Sequence, residues 1–267
     1  MEILGYGLAS FMGLVLGFLG GGGSILTIPI LVYIFGVSAT YATAYSLFIV
    51  GSSSLIGSFN YFKRGLIDVK TGLLFAIPAF TSVYSVRKFL MPSLPEQIMS
   101  LDSFIITKDL LILVVFAVVM LLASYSMIKG RKNLTEISGQ TRSPVRVAIY
   151  GLLIGALTGF VGAGGGFIII PALVLFAGLD MKVAVGTSLF IITINSLIGF
   201  IGDIEVLPNI NWKFLLNFLF FSILGILGGT LLSKKVSSHT LKPLFGWFVL
   251  VMGTAILLKE LFFHHAI

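Results

Sequence analysis

Residues 17–57 recur at 159–199 without a gap, and each copy opens on a glycine cluster: GFLGGGGSILTIP in the first, GFVGAGGGFIIIP in the second. A shift of 142 places Gly17 on Gly159, Gly20 on Gly162, Gly22 on Gly164, Gly23 on Gly165 and Pro29 on Pro171. The copies meet again at SLFI (Ser46 to Ile49, Ser188 to Ile191) and at SLIG (Ser54 to Gly57, Ser196 to Gly199). Of the 41 aligned positions 19 are identical, more than shared apolar composition supplies. The chain holds two copies of one unit, and whatever fold it adopts is built twice.

The solvent of those copies follows from charge. Only 10% of the residues are charged and 57% are hydrophobic, whereas soluble domains carry about 25% charged residues. The chain therefore reads as an integral membrane protein. Apolar stretches run at 3–19, 24–36, 40–62, 71–91, 109–128, 146–162, 166–178, 182–202, 212–233 and 241–263, five per half. Stretches near 20 residues cross a bilayer as helices; 24–36 and 166–178 are too short at about 1.5 Å per residue and read as half-helices or re-entrant arms. The expected fold is all-α and polytopic: a first transmembrane repeat over 1–128, a linker over 129–145 and a second repeat over 146–267.

Loop charge orients these segments. Lys129, Arg131, Lys132, Arg142 and Arg146 place the linker in the cytoplasm, and Lys63, Arg64 and Lys70 place the 63–70 loop there. The 234–242 turn, with Lys234, Lys235 and Lys242, belongs inside; the 203–211 loop, with Asp203 and Glu205, belongs outside. Counting 146–178 as one span reverses these sides. Counting it as two crossings, or as a hairpin returning to its own side, satisfies every loop. Each unit is then odd and the halves are inverted, as in secondary transporters whose midplane site is made of broken helices. The cytoplasmic membrane is the expected location.

The glycine clusters are the expected breaks. Each glycine costs a helix interior about 1 kcal/mol relative to alanine, so Gly20 to Gly23 should unwind. Pro29 pushes Ile28 away from helix and suits the first turn of a new one. Unwound backbone inside a bilayer is tolerated only against protein or a watery cavity. Two clusters aiming amides and the positive ends of short helices at one centre make an anion site. The candidate donors are Gly20, Gly21, Gly22, Gly23 and Ser24 in the first half, and Gly162, Gly164, Gly165 and Gly166 in the second. Ser46, Ser188 and Asn195, on the helix that follows each break, add hydroxyl and amide donors. Gly13, Gly17, Gly151, Gly155 and Gly159, spaced by four, read instead as helix-packing positions or a dimer seam. Neither cluster fits a nucleotide-binding loop.

Other chemistry is scarce. There is no cysteine, and the three histidines, His239, His264 and His265, sit at the edges, so no metal, cofactor or intramembrane catalytic set is expected. Asp68, Arg87, Lys88, Asp203, Glu205 and Lys213 all fall at span ends, leaving no carboxylate in mid-span to relay protons. Coupling is also unnecessary: one negative charge moving outward down 100 mV gains about 2.3 kcal/mol, roughly a 50-fold accumulation. The doubled glycine break, with the SLF that follows it, resembles the TauE/SafE family of sulfite exporters and related anion transporters, over about residues 3–260. The resemblance implies export of sulfite, sulfoacetate or a similar sulfur-containing or organic anion. A sodium- or proton-coupled carrier of a neutral or zwitterionic solute is the alternative. The partners expected are the small anion and the bilayer, not nucleic acid; monomer and homodimer stay open.

Overall fold

The computed structural model describes residues 2–101, 104–129, 144–162, 164–205, 207 and 209–263. Most of the linker expected at 129–145 lies outside them. Among the described residues ten helices emerge, five per half. In the first half they are α1 (Glu2–Leu19), α2 (Gly22–Pro29, prolonged by a π-helical turn, Ile30–Ile34), α3 (Ala39–Lys63), α4 (Val69–Ser93) and α5 (Lys108–Lys129). Their counterparts are α6 (Pro144–Val161), α7 (Gly166–Leu175), α8 (Met181–Ile204), α9 (Trp212–Lys235) and α10 (Ser238–Phe263). One β-hairpin, β1 (Gln97–Leu101) with β2 (Phe104–Thr107), interrupts the helical plan between α4 and α5 and has no counterpart before α10. Six helices, α3, α4, α5, α8, α9 and α10, are long and apolar enough to cross a membrane.

The short helices double back. A methyl group on Gly23 would lie 2.3 Å from Leu16 Cβ, and one on Gly5 would lie 2.1 Å from Phe35 Cζ, so α2 returns along α1 toward its start. In the second half the Phe176 ring, just past α7, stacks on Tyr150 of α6 at 4.3 Å. Pro29 and Pro171 lie inside α2 and α7 instead of opening them. Helix starts directly after the turn because only the turn residues need unusual backbone, and the prolines fall further in, at the eighth residue of α2 and the sixth of α7. In α2 the π-helical turn Ile30–Ile34 follows Pro29 immediately, the local adjustment that a lost hydrogen bond invites.

Exchanging the two halves leaves the packing pattern unchanged. α1 packs on α9 as α6 packs on α4; α3 packs on α9 as α8 packs on α4; α3 crosses α8, α2 meets α7, and α5 lies along α10. The fourth helix of each half thus crosses over to the other half. Gly51 of α3 faces Leu197 of α8 and Gly57 faces Leu189, so these equivalent helices run in opposite directions. Gly13 faces Ser222 and Gly17 faces Ile226, making α1 and α9 parallel; Gly151 with Phe75 and Gly155 with Ala79 do the same for α6 and α4. The four-residue glycine spacing therefore serves packing inside the chain, where small residues let backbones approach.

α3 and α8 form the centre: 72% of their most apolar window is buried, against 33% for α4 and α9. These two also carry half of the buried polar residues, so polarity faces inward, while Leu122, Phe220 and Val251 face outward. α1, α3, α5 and α9 all start at one end, called here the first end. There Asp109 of α5 accepts from the Ala39 and Thr40 amides at 3.1 Å each and from Thr40 Oγ1 at 2.9 Å, capping α3 from another helix. Asp109→Ala is expected to lower stability by about 2 kcal/mol, since it removes charged hydrogen bonds from a helix N-terminus. Thermal unfolding in detergent measures it, and an unchanged melting temperature would rule the cap out as a stabilising contact.

Candidate functional site

The chain turns at Gly20 and Gly21 in the first half and at Gly162, Gly164 and Gly165 in the second. Gly20 has φ +74°, and Gly162, Gly164 and Gly165 have φ +73°, +64° and +72°, values that side chains rarely adopt. The unwound stretch in the first half is shorter than expected. Gly22, Gly23 and Ser24 already belong to α2; Gly23 is small because it packs on α1, and Ser24 Oγ donates to the Gly21 carbonyl at 2.7 Å. Neither Gly21 nor Gly165, each preceding a short helix, is helped by a side-chain cap, so both helix starts present bare amides.

The two turns meet. A methyl group on Gly21 would lie 1.8 Å from the Gly166 carbonyl carbon, which places the N-terminal ends of α2 and α7 against one another at the heart of the bundle. Gly20 lies beside Ser188, and Gly164 beside Ser196, each hydroxyl being 3.0 Å from where a Cβ would stand. The structure thus brings Gly20, Gly21, Gly164, Gly166 and Ser188 together. Gly165 packs on Thr158 of α6, and Gly162 lies against Thr43 of α3. Ser46 and Asn195 are buried on α3 and α8 with no hydrogen-bond partner for the Ser46 hydroxyl or for either end of the Asn195 amide.

Thr27 of α2 shares that condition, and so do the hydroxyls of Ser54 and Ser196, buried and unpartnered. The two serines occupy equivalent places in the SLIG repeat, which is the signal that marks them in the sequence. A burial-satisfying hydrogen bond is the rule for such groups, and leaving one unmade costs about 1–3 kcal/mol. Ser53, the counterpart of Asn195, differs: its hydroxyl bonds Ser222 of α9 at 2.7 Å.

The charged residues expected at span ends include two that are buried. Arg87 is 2% exposed and Asp203 4%, with Arg87 Nη1 3.5 Å from Asp203 Oδ1 and 2.9 Å from Thr43 Oγ1. α4 runs on to Ser93, so Arg87 lies inside the helix, on a π-helical turn, Val86–Leu90, that turns it against the second glycine break. A methyl group on Gly162 would stand 2.0 Å from Arg87 Nη2. Lys88, next in sequence, pairs at the surface with Glu205 at 2.5 Å, which holds the Glu205 carboxyl below its usual range. Position along the chain hid the Arg87 pair: burial at a span end depends on which helix packs over it.

A cavity of about 290 Å³ opens at the first end, lined by Phe35, Ser38, Tyr41, Tyr45, Asn211 and Phe214. Tyr45, next to Ser46, accepts there from the Asn211 amide at 3.0 Å. Among the described residues no cluster of His, Asp or Glu is arranged to hold a metal.

A probable membrane transporter protein of Xylella fastidiosa (strain Temecula1) is 29% identical over 275 residues, covering 97% of this chain and 95% of its own. A probable membrane transporter protein of Bacillus subtilis, YunE, is 24% identical over 94% of this chain and 97% of its own. A Methanocaldococcus jannaschii protein of the same description is 29% identical over 72% of this chain. No solved structure matches. The family model for the sulfite exporter TauE/SafE matches residues 6–256, both glycine breaks and the helices around them included, and the chain belongs to that family of membrane transporters.

Proposed function

We propose that the chain carries a small sulfur-containing or organic anion, of the sulfite or sulfoacetate kind, outward across the cytoplasmic membrane, driven by the membrane potential. The observation that carries this reading is the meeting of two uncapped helix N-termini at Gly21 and Gly166, with the unpartnered hydroxyl of Ser196 against Gly164 of the same turn. Such ends concentrate positive potential and free amides, which suit an anion that must bind and then leave. The family description, sulfite exporter, points the same way.

The two repeats are inverted across the membrane in this reading, with the second end cytoplasmic. Charge supports it: Lys63, Arg64, Lys70, Lys129, Arg146, Lys182, Lys234, Lys235 and Lys242 lie at that end, against Arg87, Lys88, Lys108, Lys213 and Lys259 at the other. The first-end cavity is then the outer vestibule. Alternating access follows from one repeat rocking against the other about the α3–α8 crossing.

Flux in proteoliposomes tests this. Sulfite, sulfate, thiosulfate, sulfoacetate and acetate are offered with and without an imposed potential, sodium gradient or proton gradient. Movement of a sulfur oxyanion with potential alone is the expected result. Flux that needs sodium or protons would overturn the energetics, and a chain that moves only neutral or zwitterionic solutes would overturn the anion site.

A further inference from the structure

We propose that the Nε–Nη2 edge of Arg87, lying against the Gly162 turn, coordinates the transported oxyanion, and that Asp203 stands in for that anion when the site is empty. The assignment rests on the anion-transporter reading above and names a side chain for it.

A guanidinium has five N–H groups. In Arg87, Nη1 meets Thr43 and Asp203, while Nε and Nη2, carrying the other three, have no partner although they are buried. Asp203 is equally incomplete: its Oδ2 has none. A pair that only tied α4 to α8 would be expected to close in the bidentate geometry that arginine and carboxylate prefer, because a buried ion pair is tolerated when its remaining donors and acceptors are satisfied. Here a single 3.5 Å contact leaves the fork edge open. Two oxygens on one sulfur or carbon match that edge.

The local backbone keeps the edge at the break. Gly162, at φ +73°, is the only residue type that fits beneath Nη2 at this distance, and the π-helical turn Val86–Leu90 rotates Arg87 inward. Turns of this kind recur at functional sites. An ionisable residue inside a membrane span is itself a pointer to a substrate path.

The molecule contains its own comparison. Under exchange of the halves Asp203 corresponds to Tyr61, whose hydroxyl donates to the Gly17 carbonyl at 3.1 Å and closes the first break. The nearby Arg64 reaches Ser233 Oγ at 3.2 Å and the Thr230 carbonyl at 3.5 Å, in the contact between α3 and α9 that mirrors α8 with α4. Arg64 thus ties helices together from a part-exposed position, and among the described residues Arg87 is the arginine whose unpartnered donors are buried against a glycine turn.

Sulfite flux into proteoliposomes, measured against concentration, tests the assignment with Arg87→Gln, Arg87→Lys and Asp203→Asn. Arg87→Gln is expected to raise the KM for sulfite about 10- to 100-fold, the worth of charged hydrogen bonds. Arg87→Lys is expected to recover part of that loss, since it restores charge without the fork. Asp203→Asn is expected to lower the KM, because the competing carboxylate is gone. Should Arg87→Gln fail to reach the membrane, the opposite KM shifts of Arg87→Lys and Asp203→Asn carry the test. A wild-type KM in Arg87→Lys, or equal KM increases in Arg87→Lys and Asp203→Asn, would reduce the pair to a structural tie and overturn the assignment while leaving the anion reading intact. Absence of anion flux in the wild type would overturn both.

Discussion

Alanine at Gly21 is expected to abolish transport and to destabilise the fold by about 3 kcal/mol or more. Gly21 has φ −66° and ψ −14°, which any residue adopts, so its replacement carries no backbone strain. The effect is one of space alone. The added methyl group would stand 1.8 Å from the Gly166 carbonyl carbon and 2.2 Å from its oxygen, an overlap with backbone that no rotamer relieves. Overpacking typically costs about 1–3 kcal/mol when side chains can yield, and backbone yields less. The two short helices would have to part, and with them the facing N-termini that the proposed site needs. Gly7→Ala and Gly228→Ala are the controls: nothing lies within 4 Å of either added methyl, and helix propensity should make both variants neutral or up to about 1 kcal/mol more stable. Anion flux and detergent melting on all three variants decide the matter. Normal flux by Gly21→Ala would mean that the meeting of the turns is not part of the transport path.

Leucine at Gly225 is expected to cost several kcal/mol, and leucine at Gly155 a comparable amount. Gly225 of α9 lies where a methyl would be 1.9 Å from the Ser10 carbonyl oxygen of α1; Gly155 of α6 lies where one would be 2.4 Å from the Ala79 carbonyl oxygen of α4. Lipid solvates leucine as well as a neighbouring helix does, so these pairs are held by close backbone approach, and a larger side chain removes that approach without offering anything in return. Melting in detergent, with yield in the membrane as a second readout, measures both. Large loss at one site with none at the other would contradict the equivalence of the two parallel pairs.

Much of this was legible in the sequence. The ten apolar stretches match the ten helices closely, because a membrane helix must satisfy its backbone internally and therefore announces itself as an unbroken apolar run. The glycine turns were legible because glycines crowded together, with a proline at the same distance after them in both halves, are more than packing asks for. Other features were not. No periodicity tells which neighbour an apolar face meets, since lipid and protein accept the same residues, and so the crossing of α4 and α9 into opposite halves was hidden. Arg87 and Asp203 read as interface residues because they stand near the ends of apolar runs; their burial comes from helices distant in sequence. The packing of Gly23 was hidden for a similar reason. Adjacent glycines suggest a long loop, but Gly20 is there for its dihedral angles and Gly23 for its proximity to Leu16.

The crossing of the fourth helices also bears on how such a chain is made and where it came from. α1 meets its parallel neighbour only when α9 arrives, Gly13 waiting for Ser222, 209 positions later. Contacts so distant in sequence form late, because loop closure must come first. A nascent chain therefore holds α1 with a bare glycine stripe until most of the protein has been synthesised. A half made alone would have no α9 for its α1 and no α6 for its α4. It could complete its packing only by associating with a second copy pointing the other way. An ancestor of half this length would have needed such a partner, and joining two copies in one chain fixes both their ratio and their relative direction.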